Sequence, residues 1–339
     1  MTDLTPITYA ETAHTSEKFL WPRSEPCHHG KRFRLSAASG KRLTYRNPSE
    51  AFFPTRELQR MSLSDYRKFT KHKDFTPRPS DRPKHPLRWD EECLRYTSQN
   101  KINFIIGVIR ATGFIGLIWM MPVCILGISF MSFSYVNSQP TLNFWPDFFS
   151  YSGWDIAFFV LAFSIIAWGG ANLLYRFFPE YTSGYQPGPM WELNRRTGMV
   201  KVFSNPAKKN TAWKVAHELP FHEFDCYIQS SPTSQGIVQY NLSLVHYSVE
   251  AHVALVGMLG VTSRLDQLAA WDMLQRFMDT SQPLPDSPQW EDFRPLDPTT
   301  LEWDKETGRP PRYWRDMDDE TFNQKIVELQ DRLSAFYYG

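Results

Sequence analysis

Cysteine is scarce: Cys27, Cys93, Cys124 and Cys226 are spread over 339 residues with no two close together. This excludes a disulfide framework and a paired zinc-ligand pattern, and it fits a reducing compartment. A basic-then-apolar leader is also missing from MTDLTPITYAETAH, so the first apolar helix is expected to serve as the targeting element. Net charge is nearly absent, at +1, but it is unevenly placed. Residues 1–101 hold 20 Lys+Arg against 12 Asp+Glu, and residues 102–339 hold 17 against 24. Chemistry-bearing motifs are absent too: there is no Gly-rich phosphate loop, no GxSxG elbow and no CxxC. His217-Glu218 and His222-Glu223 fall short of a zinc-hydrolase motif, because the two His are five apart with Pro220 between them. Cys27, His28 and His29 lack a second ligand pair, and Asp316, Asp318, Asp319 and Glu320 suit a helix start without a metal. The expectation is a non-enzymatic protein with no catalytic, cofactor-binding or metal residues.

Two long apolar runs are present. Ala111 to Val136 holds no charge over 26 residues, and Ile156 to Tyr175 is also uncharged. About 20 helical residues cross a hydrocarbon core. The expected unit is a transmembrane hairpin over 102–178, with spans at about 111–136 and 156–175. Lys101, Arg110, Arg176, Arg195 and Arg196 lie outside the pair of spans. The connecting loop NSQPTLNFWPDFFSYSGWD has no Lys or Arg. The positive-inside rule then places both termini in the cytoplasm, as expected of an inner-membrane protein. The rings of Trp145, Phe148, Phe149, Tyr151 and Trp154 suit lipid headgroup level. Pro122 is expected to kink the first span, and Arg110 to snorkel to the headgroups. Ala167, Gly169, Gly170 and Ala171 form a small-residue face, for packing within the hairpin or for homo-oligomer contacts.

Residues 1–101 read as a basic, partly disordered cytoplasmic region, with one helix at Thr55–Phe69 and four prolines in Phe75–Pro86 preventing another. Its charge either fixes topology or meets anionic membrane lipids. Nucleic acid is not an expected partner, since no recognised fold accompanies the charge. Residues 179–285 read as an α+β domain. Met190–Phe203 forms a hairpin that turns at Arg195–Gly198, followed by strands at His222–Ile228, at Val238–Leu244 and at His252–Leu259. Arg195 and Arg196 at the hairpin tip are either phosphate grips or solvated. Ser263 caps a helix from Arg264 to Asp279 with an apolar stripe at Ala270, Trp271, Leu274, Phe277 and Met278. Antiparallel strands closed by one amphipathic helix suggest a pleckstrin-homology-like arrangement. Residues 286–339 read as an acidic linker to about Trp314 and a helix at Asp319–Tyr337, striped by Phe322, Ile326, Leu329, Leu333 and Phe336.

WELNRRTGMVKVF after the second span and AAWDMLQRFMDTSQPLP later carry a resemblance. Met190 to about Pro285 resembles an uncharacterised bacterial family of two-span inner-membrane proteins, whose members often show a phrase like FNRKTGKVYVF. They close the domain with a Trp-containing helix that ends in Arg, an aromatic and Met. Asn194, Arg195, Gly198, Trp271, Arg276, Phe277 and Met278 match that pattern; the basic N-terminus lies outside it. Such proteins are often encoded near type VI secretion effectors. The resemblance therefore implies a membrane protein that acts through a protein partner, as an immunity or accessory protein. A membrane-inserting effector and a lipid-sensing scaffold are the alternatives.

Overall fold

The computed structural model describes residues 8–17, 40–45, 52–55, 88–98, 100–139, 143–150, 153–178, 188–204, 212–232, 235–255 and 263–338, with Thr141, Thr182 and Gln186. The fold is mixed α+β. Two units are resolved by their internal packing: Ser98–Gln186, and the remainder, Met1–Thr97 with Pro187–Gly339. Cys27, His28 and His29, the helix expected within Thr55–Phe69 beyond Thr55, and the proline-rich stretch all lie outside the described residues.

The first unit is helical. α1 runs Lys101–Ser138, α2 Phe144–Ser150 and α3 Gly153–Phe177. Both long helices exceed the expected spans, and at about 1.5 Å per residue each is longer than a hydrocarbon core is thick. Asn100 caps α1 by accepting from the Ile102 amide at 3.0 Å. Inside α1, Gly116–Met120 forms a π segment in which the Met121 amide donates to the Gly116 carbonyl. Pro122 follows directly. It has no N–H for the carbonyl four residues back, and the wider turn is one way a helix absorbs that loss.

The second unit holds two antiparallel sheets. One has the order β2 (Arg88–Trp89), β3 (Cys93–Tyr96), β4 (Trp191–Asn194), β5 (Met199–Phe203) and β6 (Val215–Pro220). The other has the order β1 (Lys41–Arg42), β7 (Phe224–Pro232), β8 (Val238–His246) and β9 (His252–Ala254). β3 pairs with β4 in the register Leu94↔Leu193, although the whole helical unit lies between them in sequence. Thr97 Oγ1 donates to the Gly188 carbonyl at 2.7 Å, and a Cβ on Gly188 would meet the Trp213 ring at 2.4 Å. The two chain segments are thus fastened side by side at the base of the insertion.

The described residues before Ser98 therefore belong to the same unit as the C-terminal half. The described pieces supply β1, β2 and β3, and Phe53 joins the core. These strands are two to four residues long, and β1 and β3 depend on the distant β7 and β4, so no local alternation marks them.

α4 (Arg264–Met278) has the expected Ser263 cap, which accepts from the Asp266 amide at 3.3 Å. Its apolar stripe faces both sheets: Trp271, Leu274 and Phe277 pack in one cluster with Leu94, Leu193, Leu242 and Val253. Its polar side is buried as well, because flanking segments cover it. Thr55 donates its amide to Asp266, and the Tyr337 hydroxyl donates to Asp272 Oδ2 at 2.5 Å. The amphipathic pattern is real, but both faces are interior.

The expected acidic linker is folded. α5 (Pro298–Thr307) stands inside it, and Trp290, Phe293 and Trp314 join the core. The fully buried Trp290 indole packs on Phe277 at 5.5 Å between ring centroids. α6 (Asp319–Tyr338) docks on the same domain through Phe322 and Ile326, while Leu333 meets Phe52 and Ala269. Asp318 caps α6, accepting from the Thr321 amide at 2.8 Å. Phe336 packs its ring 5.4 Å from that of Phe52 while staying 47% exposed.

Candidate functional site

Three places hold residues singled out by the sequence. The first is the helical hairpin. α3 turns Ala157, Ser164, Ala167 and Ala171 inward. A Cβ on Gly113 of α1 would lie 2.5 Å from the Trp168 nitrogen, and one on Gly116 would lie 2.1 Å from Ser164 Oγ. Small residues on both helices thus permit a close crossing. The alanines of the small-residue face serve this intramolecular contact. Gly169 and Gly170 point elsewhere, since a Cβ on either meets nothing within 4 Å. Arg110 stacks its guanidinium 5.5 Å over the Tyr175 ring, and Tyr175 donates to Asn103 Oδ1 at 2.9 Å. Away from the crossing, Leu126, Phe130, Phe159 and Ile166 are each 72% exposed. These are two helices long and apolar enough to cross a membrane, and their apolar surfaces lie largely uncovered. In the connecting α2, Trp145 and Phe149 also point outward. The Trp154 indole donates to the Phe148 carbonyl at 2.9 Å, which folds the loop back on the start of α3.

The second place is the tip of the β4–β5 hairpin. Gly198 takes a φ of +69°, and Asn194 Oδ1 accepts from the Thr197 amide at 3.0 Å. Arg195, expected at a surface, has no exposure at all. Its Nε donates to Asp297 Oδ1 at 3.0 Å, and its Nη atoms donate to the carbonyls of Phe277 at 2.6 Å, Asp279 at 2.8 Å and Gln282 at 2.7 Å. Arg195 therefore satisfies the orphan carbonyls at the end of α4 and ties them to the start of α5, where Asp297 is the N-cap. Burial pushes the Asp297 carboxyl up; the Arg195 charge and hydrogen bonds from Arg195, Thr300 and Tyr9 outweigh it and hold its pKa below the usual range. Arg196 donates to the Thr8 carbonyl at 3.0 Å. Residues 8–17 wrap this tip, and Tyr9 donates to Asp297 at 2.7 Å. Arg195 is therefore not placed to grip a phosphate.

The third place is a cleft of about 610 Å³ between α5, α6 and the end of α4, which the sequence did not suggest. Arg276, Arg294, Arg309, Lys325 and Arg332 line it, against Asp286 and Glu328. Two of the cations are committed to carboxylates. Arg294 reaches Asp304 at 2.5 Å and 2.9 Å, and Arg309 reaches Asp286 at 2.8 Å and 3.2 Å. Burial raises the Asp286 carboxyl, and hydrogen bonds from Arg309 and Trp314 with the nearby Arg charges more than reverse this. Among the described residues, Arg276 donates only to the Pro283 carbonyl, at 3.3 Å. Its pKa is lowered by burial and by the Arg294 and Arg195 charges, against the pull of Asp286 and Asp279. Arg309 and Lys325 lie 5.1 Å and 5.4 Å from the centre of the Tyr313 ring.

Among the described residues no cluster of His, Cys, Asp or Glu could hold a metal ion. His217 sits on β6 and His222 in the short 3-10 turn Phe221–Glu223, so the two His-Glu pairs belong to different elements. No family model matches the chain, no curated protein matches its sequence and no solved structure matches its fold.

Proposed function

We propose that this is a bacterial inner-membrane protein, anchored by α1 and α3 with both termini in the cytoplasm. On this reading it works by protein–protein contact as an immunity or accessory protein linked to type VI secretion. The observation that carries the membrane part is the outward apolar surface of the two long helices. The loop between them is free of Lys and Arg, which supports the orientation. The secretion link rests on the resemblance of WELNRRTGMVKVF and AAWDMLQRFMDTSQPLP to the two-span family. The residues of these motifs do architectural work here: Asn194 and Gly198 make the turn, Arg195 joins α4 to α5, and Trp271, Phe277 and Met278 fill the core.

The pleckstrin-homology-like reading is supported by strand order. A meander of β3 to β6 is followed by a meander of β7 to β9 and then by α4. The apolar hairpin is an insertion between the first two strands of that series, and β1 and β2 are additions to it.

Inducing the chain alone in a naive bacterial host tests the function. An immunity or accessory protein accumulates in the inner membrane without changing membrane potential, and co-purifies with a protein encoded beside it. Rapid depolarisation and killing, abolished by charges placed in α3, would replace this reading with a membrane-inserting effector. Recovery in the soluble fraction would remove the membrane assignment itself.

A further inference from the structure

The cleft between α5, α6 and the end of α4 lies in a half of the chain that is acidic overall, yet its lining holds five cations against two carboxylates. Asp304 and Glu291 stand beside it as well, pairing with Arg294 and Arg309. The arrangement is not a by-product of ion pairing. Asp304 and Asp286 take Arg294 and Arg309, whereas Arg276 makes no ion pair among the described residues and feels the Arg294 and Arg195 charges against the opposing pull of Asp286 and Asp279. Holding such a guanidinium half-buried costs stability unless an anion offsets it. The walls add aromatic surface from Tyr313, Trp314 and the 47% exposed Trp303. The volume is that of a small-molecule site. The lining comes from helices and loops, so it offers no strand edge with which a peptide backbone could pair.

The geometry points to a binding site for a phosphate monoester in this cleft, with Arg276 and Lys325 as charged contacts and the aromatic wall against the organic part. A dianion matches Arg276 and Lys325, the two lining cations that hold no carboxylate among the described residues, and guanidinium forks suit phosphate oxygens. The same headgroup chemistry exists on a soluble metabolite and on phosphatidic acid, and the two are separable.

The test is calorimetric titration of the full chain in a nonionic detergent, with inorganic phosphate, glycerol 3-phosphate and short-chain phosphatidic acid as probes. Saturable binding is expected, weakened about tenfold by R276Q and by K325Q and unchanged by K305Q on exposed α5 surface. Binding should tighten from pH 5 to pH 7.5 as the second phosphate proton, with pKa about 6, is lost. Glycerol 3-phosphate binding as well as phosphatidic acid assigns a soluble ligand; phosphatidic acid alone assigns a lipid headgroup. Lys325 lies on the outer helix α6 and its substitution should be tolerated, so K325Q decides the matter if R276Q does not fold. No saturable binding, no effect of these substitutions, or a penta-glutamate peptide binding in place of the phosphates would each overturn the assignment.

Discussion

Replacing Arg195 by Ala should be among the most damaging single changes in this chain. The side chain has no solvent exposure, and its partner Asp297 is only 2% exposed. Truncation leaves a carboxylate in the interior that keeps only its contacts to Tyr9 and Thr300. Removing one partner of a buried pair costs about 3–5 kcal/mol. It also strips the donors from the carbonyls of Phe277, Asp279 and Gln282, at about 1–3 kcal/mol for each that stays unsatisfied. Entry of water recovers part of this, so we expect a loss of about 5 kcal/mol, comparable to the whole stability of a modest domain. R195K keeps the charge but has fewer donors, and should lose about half as much. R195M/D297N should regain part of the deficit, giving a coupling of about 2 kcal/mol or more in a double-mutant cycle. The assay is urea unfolding of the full chain in detergent, followed by tryptophan fluorescence. Because the Asp297 pKa is depressed in the fold, its contribution is present above the unfolded value of 3.8 and is lost as pH falls through the folded value. A loss below 1 kcal/mol for R195A, or a coupling near zero, would refute the view that this pair joins α4 to α5.

Three further outcomes are expected. Gly198→Ala meets both a positive φ and the Thr12 carbonyl oxygen at 2.5 Å, so it should cost about 1–3 kcal/mol in the same unfolding assay. Gly113→Leu should separate α1 from α3 and abolish engineered cysteine cross-links between them, whereas Gly169→Leu should leave the cross-links intact. The His14 ring is held down to a pKa of about 4 by burial, opposed by Asp279 and reinforced by His222. The unfolded chain therefore binds the extra proton first, and stability should fall by up to about 3 kcal/mol between pH 6.5 and pH 4. H14Q should flatten that slope, and an unchanged slope would show that His14 is not its source.

The two apolar helices were legible because a membrane-length run without charge is a local property of Ala111–Val136 and Ile156–Tyr175. The Ser263 cap and the β4–β5 turn were legible for the same reason: cap, turn and stripe lie within a few residues of each other. What escaped was non-local. Leu94 and Tyr96 carry no strand signal until Leu193 and Trp191 stand beside them. Acidic composition around Trp290 and Trp314 suggested a linker, but several of the acids are internal partners. Glu291, for example, accepts from the amides of Trp314 at 2.6 Å and Arg315 at 3.1 Å. Arg195 was misplaced because a hairpin tip is ordinarily a surface, and only the arrival of α4, α5 and residues 8–17 made it an interior. The cleft could not be foreseen either, since Arg276, Arg309 and Lys325 converge from three separate segments.

The pairing of β3 with β4 also sets an order of events during synthesis. At about 5–20 residues per second, β3 leaves the ribosome several seconds before β4 exists. In that interval Leu94 and Cys93, which end with no exposure, have only the two-residue β2 beside them. The sheet can close only after both apolar helices have been made and the chain has returned past Gly188. Completion of the domain is thereby a record that the hairpin has already been produced, and a chain stalled within α3 would carry β3 with its β4 edge open for quality control to find.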